Sequence, residues 1–194
     1  MNASYSTKYE YTILPSPQGL EQIPAGEITS GFRLEQAIDW NMRNTSKLKN
    51  SDTLCVDVLF ANYGDRDNSG NFSLSLQIGH FSQKIIRSAH QVTDNVYQRF
   101  CFDKFYLKDI AHKPSTLLLE GIDSPPGKAV TVWMTSDTTL GKARREDRET
   151  DKSLIFFVDV QTASNNKRMH AIILTLLCCL SVSALFWPKK SKLR

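Results

Sequence analysis

The stretch from His170 to Trp187, HAIILTLLCCLSVSALFW, carries no formal charge, and the basic tail Pro188-Lys189-Lys190-Ser191-Lys192-Leu193-Arg194 follows it directly. At about 1.5 Å of rise per residue, such a run makes roughly 27 Å of helix, enough to cross a thin hydrocarbon core with little tilt. A buried core helix or a hairpin of apolar strands would be equally apolar, but neither explains the flanks. Trp187 stands where an interfacial aromatic belongs, and four cations come after it. The expectation is one transmembrane helix over 170–187, anchored by His170, Trp187, Lys189 and Lys190, with the membrane as the first partner.

About 165 of the 194 residues remain ahead of that segment, enough for one domain with a sizeable core. The formal net charge of +4 is gathered at the flanks of the span, where Lys167, Arg168, Lys189, Lys190, Lys192 and Arg194 sit. Without them the domain is slightly acidic. The basic run Lys142 to Arg145 is answered by Glu146, Asp147, Glu149 and Asp151, so nucleic acid is not an expected partner. The positive-inside bias puts the tail in the cytoplasm and the domain on the other side. Met1 to Glu10 is polar and holds no secretory signal pattern. Either the domain is cytosolic and tail-anchored, or a signal or span precedes this sequence.

The middle of the chain reads as β-structure. Leu54 to Phe60 alternates with Val56, Val58 and Phe60 on one face, and Phe72 to Ile78 alternates with Phe72, Leu74, Leu76 and Ile78 inward. The turn-forming segment Gly64 to Asn71 between them predicts that the two runs form a hairpin. Further strands are expected at Tyr9 to Leu14, Phe32 to Trp40, Phe81 to Arg87, Tyr97 to Phe102, Thr116 to Gly121, Ala129 to Thr135 and Leu154 to Val160. Asp137 to Asp151 reads as a charged loop. Short strands at this spacing indicate an antiparallel sandwich. The expected layout is an N-terminal segment 1–27 with a possible first strand, a β-sandwich 28–161, a linker 162–169, the helix 170–187 and the tail 188–194.

Cys178 and Cys179 lie within the apolar segment, while Cys55 and Cys101 lie in strand-like runs and are either free thiols, the reading favoured here, or one disulfide. Asp57 and Asp103 share strand parity with those two cysteines, so neighbouring strands would bring two carboxylates together on the solvent face. A glycosidase needs such a pair in a cleft. Nothing else in the sequence builds one: G-x-S-x-G, P-loop, H-E-x-x-H and Gly-rich dinucleotide patterns are all absent. The expectation is therefore a non-enzymatic protein. Asp65, Asp67 and Ser69 have the D-x-D-x-S-G opening of a calcium loop, yet Leu76 stands where an EF-hand needs its bidentate glutamate. A turn stabilised by its own Asp and Asn side chains is the favoured reading, with a structural calcium as the alternative. Trp40, Tyr63, Tyr97 and Trp133, with Phe81, are the aromatics that would stack on a sugar ring; a tryptophan buried in the core is the competing reading.

The order of these signals resembles a family pattern. Gly31-Phe32-Arg33-Leu34-Glu35-Gln36 leads into a core strand, and Leu54 to Tyr63 runs into the turn Asn68-Ser69-Gly70 and the strand Phe72 to Ile78. Val92-Thr93-Asp94-Asn95-Val96-Tyr97 follows with Phe100 and Phe102, then strands at Thr116 to Ile122 and Val130 to Met134. From Ile28 to Val160 this is similar to the jelly-roll, carbohydrate-binding-module-like β-sandwich found as an extracytoplasmic module in bacterial multi-pass membrane proteins of polysaccharide and cell-envelope biosynthesis. Many of those are similar to glycosyltransferases that use lipid-linked sugars. The resemblance implies an all-β jelly roll on the periplasmic side of the bacterial inner membrane. It also implies a glycan or a membrane glycosyltransferase as partner, and no catalytic signature of its own. Because such proteins carry many spans, the chain is expected to be a fragment of one or an accessory subunit.

Overall fold

The computed structural model describes residues 8–17, 21–40, 53–64, 66–103, 110–146 and 148–163. Contacts divide the chain into two units, Glu10–Thr162 and the pair of termini Met1–Tyr9 with Ala163–Arg194; the first carries the architecture below. Among the described residues no helix is long and apolar enough to cross a membrane. The segment 170–187, with His170, Trp187, Lys189 and Lys190, lies outside them.

The fold is all-β. Its strands are β1 (Lys8–Leu14), β2 (Ile23–Pro24), β3 (Arg33–Ala37), β4 (Thr53–Ala61), β5 (Asn71–Ile78), β6 (Phe81–Ser88), β7 (Val96–Phe102), β8 (Ser115–Gly121), β9 (Thr131–Thr135), β10 (Ala143–Arg145), β11 (Arg148–Glu149), β12 (Ser153–Leu154) and β13 (Phe156–Ala163). They form two antiparallel sheets. The first has β1, β13, β4, β9 and β12 in order, with β7 on the other side of β4 and β2 on β9; the second runs β11-β10-β3-β8-β5-β6.

The period-two pattern explains why the sheets stack. Leu54, Val56, Val58 and Phe60 of β4 are fully buried, as are Phe72, Leu74, Leu76 and Ile78 of β5, so each strand offers one apolar face. Those faces meet across the sandwich. The rings of Phe60 and Phe72 are 5.0 Å apart, and Phe100 of β7 lies 6.2 and 6.4 Å from them.

The expected β4–β5 hairpin is therefore a correction: the two strands belong to different sheets, and the segment between them crosses the sandwich. Its turn formers bond elsewhere. Asn68 donates to the Asn62 carbonyl at 3.2 Å, Ser69 N–H to the Lys128 carbonyl at 2.9 Å, and Arg66 to the Ala129 carbonyl. Gly70 has φ +84°, and a Cβ there would stand 2.5 Å from the Ser124 Cα, so both backbone angle and space require glycine. The charged segment 137–151 holds another correction, since Ala143 to Arg145 pairs with β3 and continues into the edge strand β11.

One buried polar side chain joins the two sheets. Gln36 of β3 donates from Nε2 to the carbonyls of Ala37 (2.8 Å) and Gly141 (3.0 Å), while its Oε1 accepts the Leu154 N–H of β12 at 2.7 Å and the Ser153 hydroxyl at 3.3 Å. Gln36 is wholly buried, and the Leu154 N–H and the Gly141 carbonyl that it bonds are buried too, so neither has bulk water in its place. Replacing Gln36 by Leu is expected to cost about 2 kcal/mol, because the Leu154 N–H and the Gly141 carbonyl lose their partner inside the core. Urea unfolding of the two proteins measures it.

Candidate functional site

The register of β4 and β7 organises the outer face of the first sheet. Cys55 stands opposite Cys101, Asp57 opposite Arg99 and Leu59 opposite Tyr97. Cys55 and Cys101 are joined in a disulfide with their Cα atoms 4.0 Å apart, so the free-thiol reading is corrected. Asp57 and Asp103 do not meet: Asp103 accepts the Thr53 hydroxyl at 2.5 Å, four residues along the ladder from Asp57. Nor is Asp57 on a solvent face, being 4% exposed.

Arg99 explains how that carboxylate is buried. Its Nε donates to both Asp57 oxygens at 3.0 and 3.1 Å, one terminal nitrogen reaches Asp159 of β13 at 2.8 Å, and the other reaches Glu10 of β1 at 2.6 Å. Thr12 donates to the second Asp159 oxygen at 2.7 Å. One guanidinium thus ties four strands. Burial pushes the Asp57 carboxyl above the usual carboxylate range, against the pull of the Arg99 hydrogen bond. The Asp57 hydrogen bond in turn raises Arg99, which stays cationic throughout.

Beside this cluster, toward the Ala61 end of β4, lie three of the four aromatics singled out in the sequence. Tyr97 is at the exposed edge, packs edge-on to Phe157 with ring centres 4.9 Å apart, and shares a 3.0 Å hydrogen bond with Ser16. Trp133 is half-buried on β9, and its indole N–H donates to Asn95 Oδ1 at 2.9 Å. Phe60 pairs with Val96 on one side and Val132 on the other, so β7 and β9 flank β4 at this end. Asn95 belongs to the turn that enters β7. The Trp133 side chain therefore reaches across β4 to hold it.

Asp94 and Asn95 are a built turn. Asp94 Oδ1 accepts the Asn62 backbone N–H at 2.6 Å, its other oxygen accepts the Asn95 side-chain amide at 2.9 Å, and Asn95 takes φ +55°, which asparagine tolerates. Tyr63, the next residue after Asn62, has φ +61° and is 42% exposed. A bulky side chain in that region stores strain of order 1–3 kcal/mol, a feature that concentrates at binding sites. The Arg66 guanidinium lies 4.4 Å over the Tyr63 ring and is itself held by Glu27 at 2.8 Å and Asn68 at 3.0 Å. The Gly127 N–H, more than that ion pair, pulls the Glu27 carboxyl below its ordinary value.

Trp40 stands apart. It follows β3 and packs partly on the core, with its N–H on the Ser115 hydroxyl at 2.7 Å. Ser115 pairs with Ile78, the opposite end of β5 from Asn71, which puts Trp40 at the far end of the sandwich. Phe81, 44% exposed, begins β6 at that same end. Of the loop read for calcium, Asp65 lies outside the described residues. Asp67 is exposed, 3.6 Å from His90 Nδ1 and 3.9 Å from Lys128 Nζ, and Ser69 is exposed too. No group of three metal-ligating side chains is gathered among the described residues.

No family model matches the chain, and no curated protein matches it. Among solved structures it is similar, at 12% identity and a TM-score of 0.26, to the VP2 subviral particle of infectious bursal disease virus. That match covers 84% of this chain and 34% of the viral one, so the chain spans about a third of the viral protein's length. A likeness that slight carries no argument about function.

Proposed function

We propose that the chain is a non-enzymatic, membrane-anchored β-sandwich of jelly-roll type that binds a glycan, alone or as presented by a membrane glycosyltransferase, on the outer face of its first sheet. The observation that carries this is the Trp133 indole, drawn across β4 by Asn95, on a face that also holds Tyr97. Aromatic faces fit the C–H faces of sugar rings, and the polar Asp94-Asn95 turn stands beside them. The Cys55–Cys101 disulfide supports an extracytoplasmic domain over a cytosolic one, since such bonds persist in oxidising compartments. Replacing Trp133 by Ala in the full chain is expected to weaken binding on a glycan array about tenfold or more, with the melting transition still cooperative. Undiminished binding by the folded variant would remove the platform.

A second reading, docking of a partner protein, has its own observation. The edge strand β6 exposes Ile86 at 58% and Phe81 at 44%, the kind of apolar edge a partner strand covers. The disulfide and the indole platform favour the glycan reading.

A further inference from the structure

At the far end of the sandwich from Trp133, an open cavity of about 320 Å³ is lined by Ile38, Asp39, Trp40, His112, Lys113 and Pro114. That volume is at the small end for ligand sites, about 300–1,000 Å³. We propose that this cavity is a separate binding site for one carboxylate-bearing sugar unit, a hexuronate.

The walls are fixed by backbone bonds from several directions. Ile38 N–H donates to the Ser115 carbonyl at 2.9 Å and Asp39 N–H to the Leu140 carbonyl at 3.0 Å. Lys113 N–H bonds the Ile110 carbonyl at 3.0 Å, and the Pro114 carbonyl accepts Gly79 N–H at 2.9 Å. The Ser115 hydroxyl takes the Trp40 N–H and donates to the Lys113 carbonyl at 3.1 Å, so the indole and the lysine are set by the same residue. The Lys113 stem lies along Gly79, whose Cβ position is 3.5 Å from the Lys113 Cδ.

The functional ends, by contrast, are left available among the described residues. No described residue pairs with the side chains of Asp39, His112 or Lys113, whereas most charged groups elsewhere in the sandwich are paired. An indole, a carboxylate, an imidazole and an ammonium around one cavity select a ligand with three properties. It needs a C–H face to lie on Trp40, hydroxyls to donate to Asp39, and an anion for Lys113 and His112. A neutral hexose makes no charge-assisted bond with Lys113. A simple carboxylate such as acetate leaves Trp40 and Asp39 unused. A uronic acid satisfies all of them at once. The cavity does not depend on the outer-face platform, and either can exist without the other.

The three tryptophans make the sites separable. With the full chain labelled with 5-fluorotryptophan, and signals assigned by Trp40→Phe and Trp133→Phe, methyl β-glucuronoside is expected to shift the Trp40 fluorine resonance. Methyl β-glucoside and acetate are expected to leave it in place at the same concentration. Lys113→Gln, on a half-buried rim position, should weaken the response about tenfold. A glucuronoside shift confined to Trp133 would place the sugar on the outer face and overturn the cavity while keeping the glycan reading. Equal response to glucuronoside and glucoside, an unaltered response in Lys113→Gln, or no response at tens of millimolar would each overturn the inference too.

Discussion

Reduction of Cys55–Cys101, or its replacement by two serines, is expected to cost this domain about 4 kcal/mol. The bond closes a loop with a sequence separation of 46, and the chain-entropy relation for that length gives about 4 kcal/mol lost from the unfolded ensemble's constraint. For a domain of this size that is about 10 °C or more in the melting temperature, out of a total stability of about 5–15 kcal/mol. The loss is nonetheless a change of stability and not of topology, because the β4–β7 ladder pairs six further positions between Leu54 and Phe60 besides Cys55 with Cys101. Thermal melts with and without reductant measure it; a shift below about 2 °C would show that the bond does not form or does not constrain the chain. The same pair reports on the compartment. Trapping free thiols by acid quench and alkylation of intact cells is expected to find Cys55 and Cys101 blocked. If they alkylate freely, the extracytoplasmic placement loses its physical support.

The sequence made the core legible and the partnerships illegible. Alternation in β4 and β5 named Val56, Val58, Phe60, Phe72, Leu74 and Leu76 correctly as inward, because each needs an apolar face and period two reveals it. The same alternation says nothing about which sheet a strand joins, so the turn-rich segment between them read as a hairpin although it crosses the sandwich. β10 and β11 were hidden for another reason. At the rim of a sheet charged side chains stay exposed, so Ala143-Arg144-Arg145, with only the two-residue edge strand β11 outside it, has the composition of a loop.

The candidate site divides the same way. The residues of the Asp94-Asn95 turn and the aromatics were visible, but only the tertiary register joins Trp133 of β9 to Asn95 across β4. Parity did place Asp57 with Cys55. What it lacked was the pairing partner, and once Cys101 faces Cys55 the residue opposite Asp57 is Arg99, not a second carboxylate. Gln36 shows the converse case. It was read as part of a motif, and the physical content of that motif is a core amide bonded to both sheets.

Arg99→Leu is expected to destabilise the domain by about 2–4 kcal/mol at neutral pH, with a pH dependence that identifies the cause. Side-chain exposure is 6% for Asp57 and 8% for Asp159, so removing the guanidinium leaves two carboxylates facing each other with little water, and Glu10 close by on β1. Buried pairs broken from one side usually cost about 3–5 kcal/mol; Arg99 itself is 38% exposed, which admits screening and lowers the figure. The sign with pH follows from Asp57. Its carboxyl already lies above the ordinary aspartate value because burial disfavours the charge. A carboxyl raised on folding holds its proton longer in the folded state, so its contribution favours folding at acid pH. That contribution is lost as pH rises from the unfolded value through the raised one. Losing the Arg99 hydrogen bond removes the main opposing pull and raises Asp57 further. The variant's deficit is therefore largest at neutral pH and shrinks as pH falls and the raised Asp57 carboxyl takes up its proton. Leucine covers the same strands but carries no charge, so a loss of packing alone would give a deficit flat with pH. Denaturant midpoints across that range separate the two, and pairing the variant with Asp57→Asn should recover part of the loss at neutral pH and little at acid pH.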